Sequence, residues 1–200
     1  MNTKPETNVV NDPKQTLANL AWEDLGQFKQ AGKFPSDYPT DTLSFYSPRD
    51  TGVHQVILWT LLQARQSIVL NMYGLDDDDA VPIIVKATED PHLYVQLNLD
   101  KSQAGGVHER ELLKQFNHDQ IGNSVAIGHS SKGAISHLKL LVIDGQYLLS
   151  GSTNWSSGGE AKQDNELTLT RCRARCAEAR AVMDLNHDAM LAQMAKAPQP

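Results

Sequence analysis

Cysteine is nearly absent. Cys172 and Cys176 are the only two in 200 residues. A C-x3-C pair allows a poor disulfide, half a metal site or two small buried residues. The last reading is preferred, and a disulfide framework is excluded. No H-E-x-x-H or paired C-x-x-C stands in the sequence, so it shows no metal-ligand cluster and calls for no cofactor. Long apolar runs are missing as well, and the start, MNTKPETNVVNDPKQ, has no apolar h-region. Without them there is no integral membrane segment, and a cytoplasmic location is the expectation. Nor is there an internal repeat. Positive charge is scarce, with a net charge of −6. Its distribution is uneven: residues 1–127 carry −7 (ten basic, seventeen acidic), 128–180 carry +2 and 181–200 carry −1. The basic part of an acidic protein is thus one short segment, which is compatible with a local groove for phosphates.

A hydrophobic content of 40% over this length suits one domain with a sizeable core. Residues 1–42 read as an arm: polar to residue 12, then a short amphipathic helix within 13–34, then a linker. Leu17, Leu20, Ala21, Leu25 and Phe28 give that helix an apolar face, which packs on the domain or binds a partner. The main domain, 43–194, alternates strands and helices. Strands are expected at 43–47, 67–73, 93–99, 124–127 and 166–171. Helices are expected at 53–65, 80–88, 107–117 (after Gly105-Gly106) and 172–194, with a tail at 195–200. The four aspartates Asp76 to Asp79 read as the acidic start of a helix, with Pro82 in its first turn, ahead of a metal site. The alternation predicts an α/β fold: a mixed, largely parallel sheet flanked by helices on both faces.

One stretch stands apart: HLKLLVIDGQYLLSGSTN, His137 to Asn154. It reads as a β-hairpin turning at Asp144-Gly145. A buried strand normally holds no charge, yet His137 and Lys139 sit two residues apart and so on one face. Ser152 and Asn154, also two apart, share a face at the end of the return strand. In register, an imidazole, an ammonium, a hydroxyl and an amide converge, a set that suits a phosphate. The histidine can attack or donate a proton, and the others can hold oxygens. With those donors the chemistry needs no metal. The other histidines (His54, His92, His108, His118, His129 and His187) read as surface or core residues, with His129 close enough to the motif to touch a substrate. Arg171, Arg173, Arg175 and Arg180 read first as a solvated helix face and second as phosphate contacts.

The spacing H-x-K-x4-D-x6-G-S-x-N, filled by His137, Lys139, Asp144, Gly151, Ser152 and Asn154, resembles the HKD signature of the phospholipase D superfamily. Every signature position is occupied. The resemblance implies that His137 attacks phosphorus to form a phosphohistidine, that a second motif histidine protonates the leaving oxygen, and that water resolves the intermediate. Asp144, a turn residue by its position, is a motif carboxylate in that family and takes a supporting role. The resemblance also asks for a carboxylate that orients the histidine; Glu166 is the first candidate and Asp164 the second.

One motif copy in a compact chain is most similar to the small bacterial endonuclease branch and its mitochondrial relatives. The expected activity is a metal-independent phosphodiesterase cleaving DNA or RNA. A phospholipid headgroup hydrolase and a non-catalytic nucleic-acid-binding module are the alternatives. A single H-x-K with a two-histidine mechanism implies a homodimer sharing one site.

Overall fold

The computed structural model describes residues 13–103, 107–117 and 122–196. The polar stretch 1–12, Gly105-Gly106, His118 and the tail's 197–200 lie outside the described residues. Along the chain run α1 (Pro13–Ala18), a 3-10 turn (Trp22–Phe28), β1 (Thr42–Ser47), α2 (Val53–Leu62), β2 (Ser67–Met72), β3 (Leu75–Asp76) and α3 (Ala80–Thr88). Then come β4 (Tyr94–Asp100), α4 (Val107–Gln115), β5 (Ser124–Gly128), β6 (Leu140–Ile143) and β7 (Tyr147–Gly151). The chain closes with β8 (Trp155–Ser156), α5 (Ser157–Ala161), β9 (Asn165–Thr170) and α6 (Arg173–Lys196). No helix among the described residues is long and apolar enough to cross a membrane.

Seven strands form one sheet in the order β1-β9-β7-β6-β2-β4-β5, and β3 pairs with β8 in a two-stranded ribbon. The mixed sheet with helices on both faces is as expected, but its balance is antiparallel. Only β2–β4 and β4–β5 are parallel within it; β1–β9, β9–β7, β7–β6 and β6–β2 are antiparallel. Parallel neighbours need a crossover, which α3 and α4 supply, whereas β6 and β7 are joined by a tight turn that forces reversal.

Strand alternation divides the core. Ile68, Leu70, Met72, Val95, Leu97, Leu99, Leu141, Ile143 and Leu149 face α2, α3 and α4. Val69, Val142 and Leu148 face α6 through Cys176 and Met183. Cys172 and Cys176 are free thiols. The short helix expected within 13–34 is split into α1 and a 3-10 turn, and the segment packs on the domain. Trp22 and Leu25 are buried in the main core, and Trp59 Nε1 donates to Leu20 O at 3.0 Å. Arg171 lies 4.7 Å from the Trp22 ring centroid.

The β6–β7 turn carries its own signature. Asp144 and Gly145 both have positive φ, 53° and 63°, and Gln146 N donates to Ile143 O at 2.9 Å. The Asp144 carboxylate accepts three backbone N–H groups at the start of β2: Arg65 at 2.9 Å, Gln66 at 2.8 Å and Ser67 at 2.7 Å. Asp144 therefore ties the turn to the neighbouring strand at the opposite end of β6 from Lys139. The intervening strand spans on the order of 15 Å. A supporting role beside His137 is corrected to this structural one.

Removing three charge-assisted acceptors leaves their donors to water. Asp144→Ala should lower stability by about 1–3 kcal/mol in urea unfolding. Asp144→Asn keeps one acceptor and tolerance of positive φ, and should fall between. Turnover per folded molecule should stay near normal in both; a large loss of turnover in a fully folded Asp144→Asn protein would restore the catalytic role.

Candidate active site

Parallel β2 and β4 end at the same sheet edge where antiparallel β6 begins and β7 ends. Polar groups gather at that edge, the usual place for ligands in sheets of this kind. The structure puts His137 and Lys139 just ahead of β6, not inside it. His137 is therefore exposed while Lys139 is only 5% exposed. Tyr73, the residue after β2, joins them. Its ring meets the His137 ring edge-on at 4.7 Å, and Lys139 Nζ lies 4.9 Å from its centroid. Lys139 Nζ also donates to His137 O at 2.9 Å. Burial pushes the Lys139 ammonium down to about 8. Among the described residues no carboxylate pairs with it.

The segment carrying His137 is anchored one residue earlier. Ser136 N donates to Asp100 Oδ2 at 2.6 Å, and Asn71 Nδ2 donates to Ser136 Oγ at 3.3 Å. Asp100 is buried at the end of β4; burial alone would raise its carboxyl, and the Ser102 and Ser136 donors outweigh that and hold it low.

Asn154 reaches the same wall from the other side. Trp155 N donates to Gly74 O at 3.1 Å, pairing β8 with β3. A Cβ on Gly74 would stand 3.4 Å from Asn154 Cγ. Asn154 Oδ1 is buried with no hydrogen-bond partner among the described residues. That end of the amide is uncommitted, and its NH2 group is the donor a phosphate oxygen would take. Tyr73-Gly74 thus forms a two-residue wall with His137 and Lys139 at one residue and Asn154 at the next.

Two expected site residues are engaged elsewhere. Ser152 Oγ donates to Asn165 Oδ1 at 2.9 Å and accepts Glu166 N at 3.0 Å, while Ser152 N donates to Glu166 O. Its hydroxyl clasps β7 to β9, where Gly151 leaves no room for a Cβ, which would lie 2.1 Å from Glu166 O. The Glu166 carboxylate accepts Thr168 Oγ1 at 3.0 Å and the Tyr46 hydroxyl at 3.5 Å, raising the Tyr46 phenol. Within the chain neither Glu166 nor any other described residue makes a hydrogen bond to the His137 ring. Asp164 is exposed. His129 lies 3.8 Å from Asp100 and its backbone is held by Gln193. Arg180 pairs with Asp184 at 2.7 Å, and Arg171 covers Trp22, so neither lines this edge.

Sequence reasoning missed Tyr73, Ser136, Asn71 and Asp100. A polar residue closing an apolar run was visible only at Asp100. It also passed over His54, whose ring contacts Asp77 and Glu160. Their hydrogen bonds raise the imidazole to about 10, while burial pushes the Glu160 carboxyl up to about 7.

Similar proteins share this arrangement of elements. The fold matches the phospholipase D family member Nuc from Salmonella typhimurium with a TM-score of 0.62 at 16% identity, over 74% of this chain and 94% of that one. NucT from Helicobacter pylori matches with a TM-score of 0.62 at 18% identity, over 75% and 94%. A phosphatidylserine synthase from Haemophilus influenzae matches with a TM-score of 0.55 at 13% identity, over 73% of this chain and 38% of that one. No curated protein shows significant sequence similarity to the chain. Residues 57–184 match the family described as cardiolipin synthase, PLD-like domain. With that match over more than half its length, the chain belongs to this family, and so to the phospholipase D superfamily.

Proposed function

We propose that the chain is a phosphodiesterase that cleaves DNA or RNA through a phosphohistidine on His137, in a site completed by a second copy of itself. The observation that carries the reading is the buried, uncompensated Lys139 beside an exposed imidazole. An ammonium kept from water without a carboxylate favours an incoming anion. Lys139 and Asn154 would hold the non-bridging oxygens, and neutral His137 would attack in line. Ser152 acts on the site through the β7–β9 clasp. A lipid headgroup reading has its own support in the family's description and in the phosphatidylserine synthase likeness. The test offers plasmid, single-stranded DNA, RNA, phosphatidylcholine and cardiolipin to the protein in EDTA, at a temperature where it stays folded. Cleavage of a nucleic acid is expected; hydrolysis of lipid alone would select the second reading. Activity lost in EDTA by folded protein and restored by a divalent metal would overturn the metal-independent mechanism.

Rapid quench should trap an acid-labile, base-stable phosphoryl label on wild type and none on His137→Ala. Lys139→Met or Asn154→Ala should each cost roughly 10²–10³ in rate, the usual loss for one transition-state donor.

Lys139 also sets a pH limit. Its folded pKa is depressed to about 8, so the ammonium is charged below that pH and neutral above it. The charged form is the one that holds phosphate oxygens, so kcat/KM should fall as pH rises through about 8. This limb reports the free enzyme. The residual activity of Lys139→Met should lack it; an identical limb in that variant would assign it elsewhere.

The chain has one H-x-K, and its own Glu166 does not reach His137. A two-fold partner can supply both the second histidine and an orienting carboxylate. Mixing equal amounts of wild type and His137→Ala with free exchange leaves about a quarter of the dimers fully wild type by random pairing. A shared site then gives about a quarter of the wild-type activity and independent sites about a half.

A further inference from the structure

A second cluster stands outside the His137 site. His54 comes from the first turn of α2, Asp77 from the turn between β3 and α3, and Glu160 from α5. His54 Nδ1 lies 2.7 Å from Glu160 Oε2 and 3.1 Å from Asp77 Oδ2. One ligand atom from each residue lies within 4.8 Å of the other two. The carboxylate side chains are 3% and 5% exposed. Asp77 uses its other oxygen, Oδ1, to accept the N–H groups of Asp79 and Ala80, both at 2.8 Å. Its Oδ2 is thereby aimed at the imidazole. Glu160 Oε1 is buried with no hydrogen-bond partner among the described residues.

We infer that His54, Asp77 and Glu160 form a binding site for one dication of the first transition series. Charge comes first. With both carboxylates ionised, the pair around one imidazole is net negative whether or not the ring is protonated, and buried charge without compensation is costly. A dication supplies that compensation and gives the orphaned Glu160 oxygen a partner. The donor set comes second. One imidazole nitrogen with two carboxylates suits zinc, manganese or iron; calcium takes six to eight oxygens, and magnesium keeps most of its waters. The third argument is the other ring nitrogen. His54 Nε2 lies 3.3 Å from Asp79 Oδ2. A carboxylate on the far nitrogen is the usual support of a metal-bound imidazole, because it fixes the tautomer and turns the ring.

The three ligands come from three separate elements, so the ion acts as a clasp. One of those elements bears on the active-site segment: the Gly159 backbone packs so closely on Asn154 that a Cβ would lie 2.3 Å from Asn154 O. None of the ligands is among the groups assigned to phosphate, so the site stands independently of the proposed phosphodiesterase activity.

The full chain, stripped with EDTA and desalted, is titrated with Zn²⁺ against a chromophoric chelator and with Mn²⁺ by electron paramagnetic resonance. Its melting temperature is followed in parallel. One equivalent should bind and raise the melting temperature, and His137→Ala should bind as well as wild type. Asp79→Asn should weaken affinity about 10–100-fold, and Glu160→Gln or Asp77→Asn more than that. Absence of binding to folded wild type, or equal binding by folded Glu160→Gln, would overturn the assignment. The cluster would then be closed by a proton on Glu160 instead.

Discussion

An ammonium held out of water, with no carboxylate paired to it among the described residues, is the constraint around which the candidate site is arranged. Lys139 reaches its position at 5% exposure, with the His137 carbonyl and the face of Tyr73 as its polar contacts among the described residues. A π face and one carbonyl offset only part of the lost hydration, which is why burial pushes its pKa down to about 8. The arrangement persists because the rest of the domain over-determines it. The antiparallel pairing of β6 with β2 and β7 fixes the approach of the chain. Asp100 and Asn71 hold Ser136 on the other side. An anion placed beside Lys139 would offset the charge that burial makes costly.

Much of the fold was legible because its signals are local. Nearly every expected strand and helix of the main domain appears within a few residues of its expected bounds, since apolar runs such as SIVLNM and VHQVILWTLL carry their own periodicity. Asp144-Gly145 announced its turn. The strand order was not legible, because pairing β6 with β2 joins residues some seventy apart and nothing in either run names its partner. Strand–helix alternation predicts a largely parallel sheet, but the chain's second half folds back on itself in antiparallel pairs.

The site was legible in type more than in placement. His137, Lys139 and Asn154 do meet at one edge, but not on one continuous hairpin face. Lys139 and His137 precede the strand, and Asn154 follows a glycine break and a pairing switch to β3. Asp144 reads as a turn residue by its position and as a motif carboxylate by resemblance, and spacing alone does not separate the two. The structure favours the turn: the three backbone donors to Asp144 belong to Arg65, Gln66 and Ser67, at the far edge of the sheet. Tyr73 gave no signal, because an aromatic at the end of an apolar strand usually fills the core.

The four aspartates show how one run can serve several demands that composition cannot separate. Asp77 caps α3 with one oxygen and faces His54 with the other, while Asp79 meets the far side of the same ring and Lys14 at 3.2 Å. An acidic helix start was the right local reading, and its partner lay twenty-three residues upstream on α2, in a histidine with no local context. Glu160 completes the group from a segment whose glycines permit close packing on Asn154. Residues that look like solvated surface in the sequence are here drawn inward beside the segment that carries Asn154. In α5 the two buried residues are Gly159, packed on Asn154, and Glu160, turned toward His54.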